Sequence, residues 1–101
     1  MNKYTVLLSE QAEKDIDKLS DTIAYDFQAP LTEYRYMQGL IDTILALEIS
    51  PETYQIQTGS YFYKFGASVR KVNYKKMVII YTVHQNIVYI HRIIASSMIT
   101  E

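Results

Sequence analysis

Three apolar stretches in the last third of the chain are separated by short polar pairs. The β-rich runs cover residues 68–74, 77–84 and 87–94, and the pairs between them are Lys75-Lys76 and Gln85-Asn86. Two-residue separations of this kind predict β-hairpins, and asparagine at the second turn tolerates a positive φ. The middle run is almost continuously apolar, which is typical of a central strand. The pattern predicts a three-strand antiparallel meander.

The N-terminal half begins with a short β-type run at residues 4–8 and then changes to a helical period. Ser9 is suited to cap the free amides of a first helix. An apolar stripe follows at helical spacing, formed by Ala12, Ile16, Leu19 and Ile23. Charged residues between these positions, Asp15 among them, are predicted to face solvent. The helix is predicted to fray between Ala24 and Gln28.

A second helix is predicted to start at Pro30, whose fixed φ suits the first turn, and to end at Ser50-Pro51. Its stripe consists of Met37, Leu40, Ile41, Ile44 and Leu47. The predicted fold class is α+β, with an N-terminal strand and an antiparallel helical hairpin that packs on the C-terminal meander. Residues 52–67 have no clear period, and residues 61–65 fit either a strand or a packed connection.

Composition narrows the class of protein. The chain has 101 residues, of which 49% are hydrophobic and 21% charged, so we expect one folded domain over residues 1–101. The absence of cysteine excludes disulfides and thiolate catalysis. No apolar run approaches the length of a membrane span, and no signal-peptide pattern is present, so we expect a cytoplasmic protein with no membrane partner.

The net charge of −1 hides an asymmetry between the two halves of the chain. Residues 1–50 contain four Lys or Arg and nine Asp or Glu, whereas residues 51–101 contain six and two. A basic sheet beside acidic helices favours a negatively charged partner, either nucleic acid or an acidic protein segment. A simple solvated face with lysines at the turns explains the same counts.

Metal and cofactor chemistry is not predicted. The only histidines, His84 and His91, lie on different predicted strands with no obvious carboxylate partner. The chain also lacks a glycine-rich phosphate loop and a serine-nucleophile elbow.

Cationic and aromatic side chains on the sheet remain as candidates. Arg70, Lys71 and Arg92 are suited to neutralise phosphates. The tyrosines of the strands, Tyr74, Tyr81 and Tyr89, can stack on bases, although strand tyrosines are more often packing residues.

His91 can exchange a proton during RNA cleavage, but a histidine inside a strand is more often a structural residue. Strict alternation places His91 with Tyr89 and Ile93 on one face of the last strand. The same alternation places Arg92 on an otherwise apolar face with Ile90 and Ile94, which favours a role of Arg92 in partner contact.

The ordered set of these segments resembles the RelE/ParE superfamily of bacterial type II toxin–antitoxin toxins. The resemblance covers nearly the whole chain, in the segments 4–8, 9–19, 41–47, 69–74, 78–83 and 88–94. It implies a growth-inhibiting toxin that a cognate antitoxin neutralises. Where ribosome-dependent nucleases of the superfamily carry arginine or another polar residue, this chain has Val78, and after the last strand it has Ala95-Ser-Ser-Met98 rather than a His or basic cluster.

These departures favour a resemblance to the ParE branch of the superfamily. That resemblance implies a toxin that inhibits DNA gyrase by binding to it. The residues expected to contact the target or the antitoxin are Arg70, Lys71, Tyr74, Lys75, Lys76, Tyr81 and Arg92. On this view Arg70→Glu relieves toxicity with little loss of stability. One alternative is a ribosome-dependent mRNA endonuclease that uses His91, Arg70 and Arg92 for catalysis. Another is a degenerate member that keeps the fold but has no toxicity.

Overall fold

A computed structural model describes residues 3–100, so the first two residues and the last residue of the predicted domain lie outside it. The elements are β1 (Thr5–Leu8), α1 (Glu10–Phe27), α2 (Pro30–Ala46), β2 (Arg70–Tyr74), β3 (Met77–His84) and β4 (Ile87–Ala95), with 3₁₀ helices at Pro51–Thr53, Ser60–Phe65 and Ser96–Met98. The predicted α+β class, with a strand, a helical hairpin and a meander in that order, is confirmed. No described helix is long and apolar enough to cross a membrane.

The four strands form one sheet in the order β1-β4-β3-β2. The predicted meander supplies the antiparallel pairs, and β1 adds a parallel strand beside β4. Each hairpin turn has a positive φ at its first residue, 53° at Lys75 and 57° at Gln85. Asn86 tolerates a positive φ, but in this turn Gln85 adopts that conformation.

Both helices use the predicted apolar stripes. The Ser9 hydroxyl accepts a hydrogen bond from the Ala12 amide at 2.9 Å, which caps α1 as expected. α1 does not fray at Ala24 but continues to Phe27, because Gln28 adopts a left-handed conformation and its amide bonds the Ala24 carbonyl. α2 starts at Pro30 as predicted but ends at Ala46, before the predicted boundary.

Two apolar cores lie on opposite faces of the sheet. The helix-side core contains the buried faces of α1 and α2 with strand residues such as Ile79 and Tyr81. Alternate residues of β3, Val78 and Ile80, point the other way and form a second core with Phe62. Phe62 belongs to the 3₁₀ helix Ser60–Phe65, so residues 61–65 are a packed connection and not a strand.

A β-bulge in β4 changes the faces predicted from alternation. Ile80 pairs with Arg92 and Tyr81 pairs with Ile90, so His91 is the extra residue. After the bulge Ile93 points into the helix-side core and Ile94 into the second core. Strict alternation placed Ile94, and not Ile93, on the same face as Ile90. This prediction was wrong because alternation does not allow for an inserted residue.

Candidate functional site

The free edge of β4 is closed by side chains from α1. β1 pairs with β4 only as far as Ile90. Beyond that point the Ser9 hydroxyl donates to the His91 carbonyl at 2.8 Å, and Asp15 accepts from the Ile93 amide at 2.9 Å. The start of α1 therefore satisfies strand groups that have no neighbouring strand.

Asp15 also binds Arg92 through two hydrogen bonds, of 2.8 Å from Nε and 3.1 Å from the terminal nitrogen. The Asp15 side chain is only 8% exposed, so the prediction that it faces solvent was wrong. Burial by itself raises the pKa of Asp15, but the bonds from Arg92, Ile93 and Gln11 outweigh burial and leave the pKa below its ordinary value. Arg92 is thereby committed to an intramolecular ion pair, and its own pKa is raised chiefly by the bond to Asp15.

Arg70 also has internal partners. Its guanidinium donates to the carbonyl oxygens of Glu52 and Tyr54, and it lies 3.9 Å from the Glu52 carboxylate. The side chain is 16% exposed and holds the segment that follows α2 against β2. The expectation that Arg70→Glu leaves stability almost unchanged does not fit this environment, since it places a carboxylate among carbonyl oxygens.

The two predicted contact tyrosines pack inside the molecule. Tyr81 is completely buried, and its hydroxyl donates to the Pro51 carbonyl. Burial raises the pKa of Tyr81 well above its ordinary value. Tyr74 donates to the Tyr36 carbonyl at 2.7 Å and packs edge-on against that ring. Tyr81 is therefore a core residue that no partner reaches in this fold, and Tyr74 joins β2 to α2.

The lysines among the predicted contact residues are accessible. Lys75 and Lys76 are exposed at the β2–β3 turn, and Lys71 is half-buried. Lys71 pairs with Ile80, which belongs to the second core, so Lys71 lies on the sheet face away from the helices. We call Lys71, Lys75 and Lys76 the β2–β3 lysines.

The two histidines lie on different strands, as predicted, and meet at one threonine. Thr82 Oγ1 lies 3.0 Å from His84 Nε2 and 2.9 Å from His91 Nε2. We call His84 and His91 the histidine pair. The sequence contained a signal for this cluster, because a two-residue turn at 85–86 pairs Thr82 with Tyr89 and puts His91 diagonally beside Thr82.

Aromatic rings surround His91. Its ring centroid lies 4.9 Å from that of Tyr89, edge-on, and 5.4 Å from that of Phe65. Burial, followed by the charge of His84, lowers the pKa of His91 and favours the neutral ring. Within residues 3–100 no group of three or more His, Asp or Glu side chains is placed to enclose a metal ion.

A cavity of about 220 Å³ opens beside the Asp15–Arg92 ion pair. Apolar side chains of α1 and of the strand ends form much of its lining. The charges of Asp15 and Arg92 offset each other, and Lys18 adds a positive charge. Its lining residues are Asp15, Lys18, Leu19, Thr22, Met77, Arg92, Ile93, Ile94, Ala95 and Met98. The cavity is suited to a segment that carries both apolar and acidic side chains.

The helical hairpin on a four-stranded sheet, with its basic β2–β3 turn, is the architecture that the resemblance to the RelE/ParE superfamily predicted. The family model described as "ParE toxin of type II toxin-antitoxin system, parDE" matches residues 6–100, so the chain belongs to this family of type II toxins. No curated protein sequence matches the chain. A solved structure titled "Chromosomal ParDE TA system from P. aeruginosa" is similar in fold, with a TM-score of 0.73 and 13% identity over 94% of this chain and 98% of that chain.

Proposed function

We propose that this toxin inhibits growth by binding DNA gyrase and that a cognate antitoxin neutralises it. Membership of the ParE family supports the toxin role and the existence of an antitoxin partner. The choice between binding and catalysis depends on the arginines. Both Arg70 and Arg92 are used inside the molecule, one on backbone carbonyls and the other on Asp15.

Cleavage of a phosphodiester requires a general acid or base beside cations that stabilise the developing charge. His91 instead contacts Thr82 and the rings of Phe65 and Tyr89. The guanidinium of Arg92 is held by a buried carboxylate and is therefore poorly placed to bind a phosphate. This commitment of the arginines is the observation that favours a binding inhibitor over a ribosome-dependent nuclease.

The β2–β3 lysines are the accessible cations of the predicted contact set, and we assign them to the target. The antitoxin is assigned to the cavity beside Asp15, where an amphipathic acidic segment covers apolar walls and meets Lys18. Target and antitoxin then use different groups of this chain.

The test is inhibition of gyrase-catalysed DNA supercoiling by the purified protein. We expect inhibition by the wild type and a loss of about tenfold or more in Lys71→Glu/Lys76→Glu, because reversed charges oppose association. The matched control is Lys3→Glu/Lys14→Glu, which makes the same charge change at exposed positions of the N-terminal half. Equal loss in both double variants contradicts the assignment to the β2–β3 lysines, and no inhibition by a folded wild type contradicts gyrase as the target.

Pulse-labelling in a heterologous bacterium separates the alternatives. After induction of the toxin alone, we expect DNA synthesis to fall before protein synthesis. An earlier fall of protein synthesis, with cleavage of ribosome-bound mRNA that His91→Ala abolishes, supports the nuclease alternative. Continued growth with abundant folded protein identifies a degenerate member.

A further inference from the structure

We propose that the histidine pair, together with Thr82, is a binding site for one divalent transition-metal ion such as Zn²⁺ or Ni²⁺. Both Nε2 atoms lie within 3.0 Å of the same Thr82 oxygen, so the two nitrogens are less than 6 Å apart. Imidazole nitrogen is the protein ligand that Zn²⁺, Ni²⁺ and Cu²⁺ share. This site is independent of the proposed function.

The sheet fixes the relative position of the two rings. His84 and Thr82 are alternate residues of β3, and His91 lies on the neighbouring strand β4. Metal–nitrogen bonds are about 2.0–2.1 Å long, so two cis ligands require a nitrogen separation of about 3–4 Å. Because His91 is packed between aromatic rings, reaching this separation requires rotation of the exposed His84 side chain and leaves the strand pairing as it is.

The hydrogen bonds of the pair indicate why a metal ion can replace the present contacts. A threonine hydroxyl has one proton and can donate to only one of the two rings. The other ring must therefore carry its own proton on Nε2 and donate to Thr82. When this proton moves to Nδ1, both Nε2 lone pairs become available to one ion, and the hydroxyl is free to act as a third, weaker ligand.

The surroundings favour an open site. His84 is exposed, which gives an ion access from solvent, whereas His91 is half-buried between aromatic rings and fixed in position. No carboxylate completes the set among residues 3–100, so solvent must supply the remaining ligands.

The test is calorimetric titration of the tag-free, full-length protein with ZnCl₂ and with NiCl₂. We expect saturable binding of one ion per chain, and a rise in the melting temperature because the ion binds the folded state. His84→Ala removes an exposed ligand without touching the core, and we expect it to weaken binding at least ~10-fold. His84→Cys supplies a replacement ligand and should restore Zn²⁺ binding.

A second readout identifies the ligands directly. Paramagnetic Ni²⁺ should broaden the ring proton signals of both histidines in the NMR spectrum at substoichiometric amounts. Asn86→Ala, at an exposed turn position close to His84, is the matched control and should bind like the wild type. Absence of saturable binding overturns the proposal, as does binding that His84→Ala leaves unchanged.

Discussion

Replacing Asp15 by asparagine tests how much the ion pair between α1 and β4 contributes to stability. Asp15→Asn keeps the shape of the side chain and leaves one oxygen that can accept from Ile93. It removes the negative charge that faces Arg92 and replaces one acceptor oxygen by a donor group. Arg92, whose side chain is 29% exposed, then keeps a half-buried positive charge with no carboxylate opposite.

The magnitude follows from the three bonds that Asp15 accepts from Arg92 and Ile93. A hydrogen bond to a charged group contributes about 1.5–3 kcal/mol, and removal of one partner of a buried ion pair costs about 3–5 kcal/mol. Because Arg92 is partly hydrated, part of the loss is compensated by water. We therefore expect Asp15→Asn to lower the free energy of unfolding by about 2–3 kcal/mol.

Urea unfolding followed by far-UV circular dichroism measures this loss. Asp17→Asn is the matched control, because Asp17 is an exposed carboxylate of the same helix, and we expect a change within about 0.5 kcal/mol. In Asp15→Asn/Arg92→Met both ends of the pair are gone, and we expect the double variant to lose less than the two single losses added together. A loss below about 0.5 kcal/mol in Asp15→Asn contradicts the assigned role of the pair.

The same pair predicts a dependence of stability on pH. The pKa of Asp15 is lower in the folded protein than in the unfolded chain, so the unfolded state binds more protons near pH 4. The contribution of Asp15 to the free energy of unfolding is complete above about pH 3.9, the pKa of an aspartate in the unfolded chain. It is lost as the pH falls through the lower pKa of Asp15 in the folded protein. The difference in stability between wild type and Asp15→Asn should shrink in acid, whereas a difference that stays constant from pH 7 to pH 3 argues against a charged Asp15.

Two further substitutions test close contacts, again by urea unfolding. Gly39→Ala should cost about 1–3 kcal/mol, because the added methyl lies 2.9 Å from Cζ of Tyr74 and closer still to its hydroxyl, which outweighs the gain in helix propensity. Gln38→Ala, one residue earlier, is its control and should be neutral or stabilising; equal effects contradict the clash. Tyr81→Phe should cost about 1–2 kcal/mol, because the buried Pro51 carbonyl loses its donor. If Tyr81→Phe leaves the midpoint of urea unfolding unchanged, the Pro51 carbonyl has found another hydrogen-bond donor, which contradicts this prediction.

Local signals predicted the elements well because they depend on neighbours in sequence. The helical stripes, the Ser9 cap and Pro30 identified the helices, and alternation with two-residue turns identified the meander. The parallel pairing of β1 with β4 had no local signal. The connection at residues 61–65 was ambiguous for the same reason. Its aromatic residues are compatible with a strand unless a second core is present to receive Phe62.

The candidate contact residues show where prediction from the sequence stops. The sequence identified arginines and tyrosines on the sheet but could not distinguish Arg70 and Tyr81, which have internal partners, from the accessible β2–β3 lysines. Residue type predicts the kind of interaction a side chain makes. It does not predict whether the partner belongs to the same chain.

The order of the elements, the α+β class and the likeness to a toxin family could all be predicted from the sequence, since periodicity and turn chemistry are local properties. The chemistry of the sheet could not, because it depends on contacts between segments that are distant along the chain. A single extra residue in β4 reassigned the faces of Ile93 and Ile94, and strand pairing brought the histidine pair to Thr82. Asp15 and Arg92 are 77 positions apart, so their ion pair forms only when α1 packs along the free edge of β4.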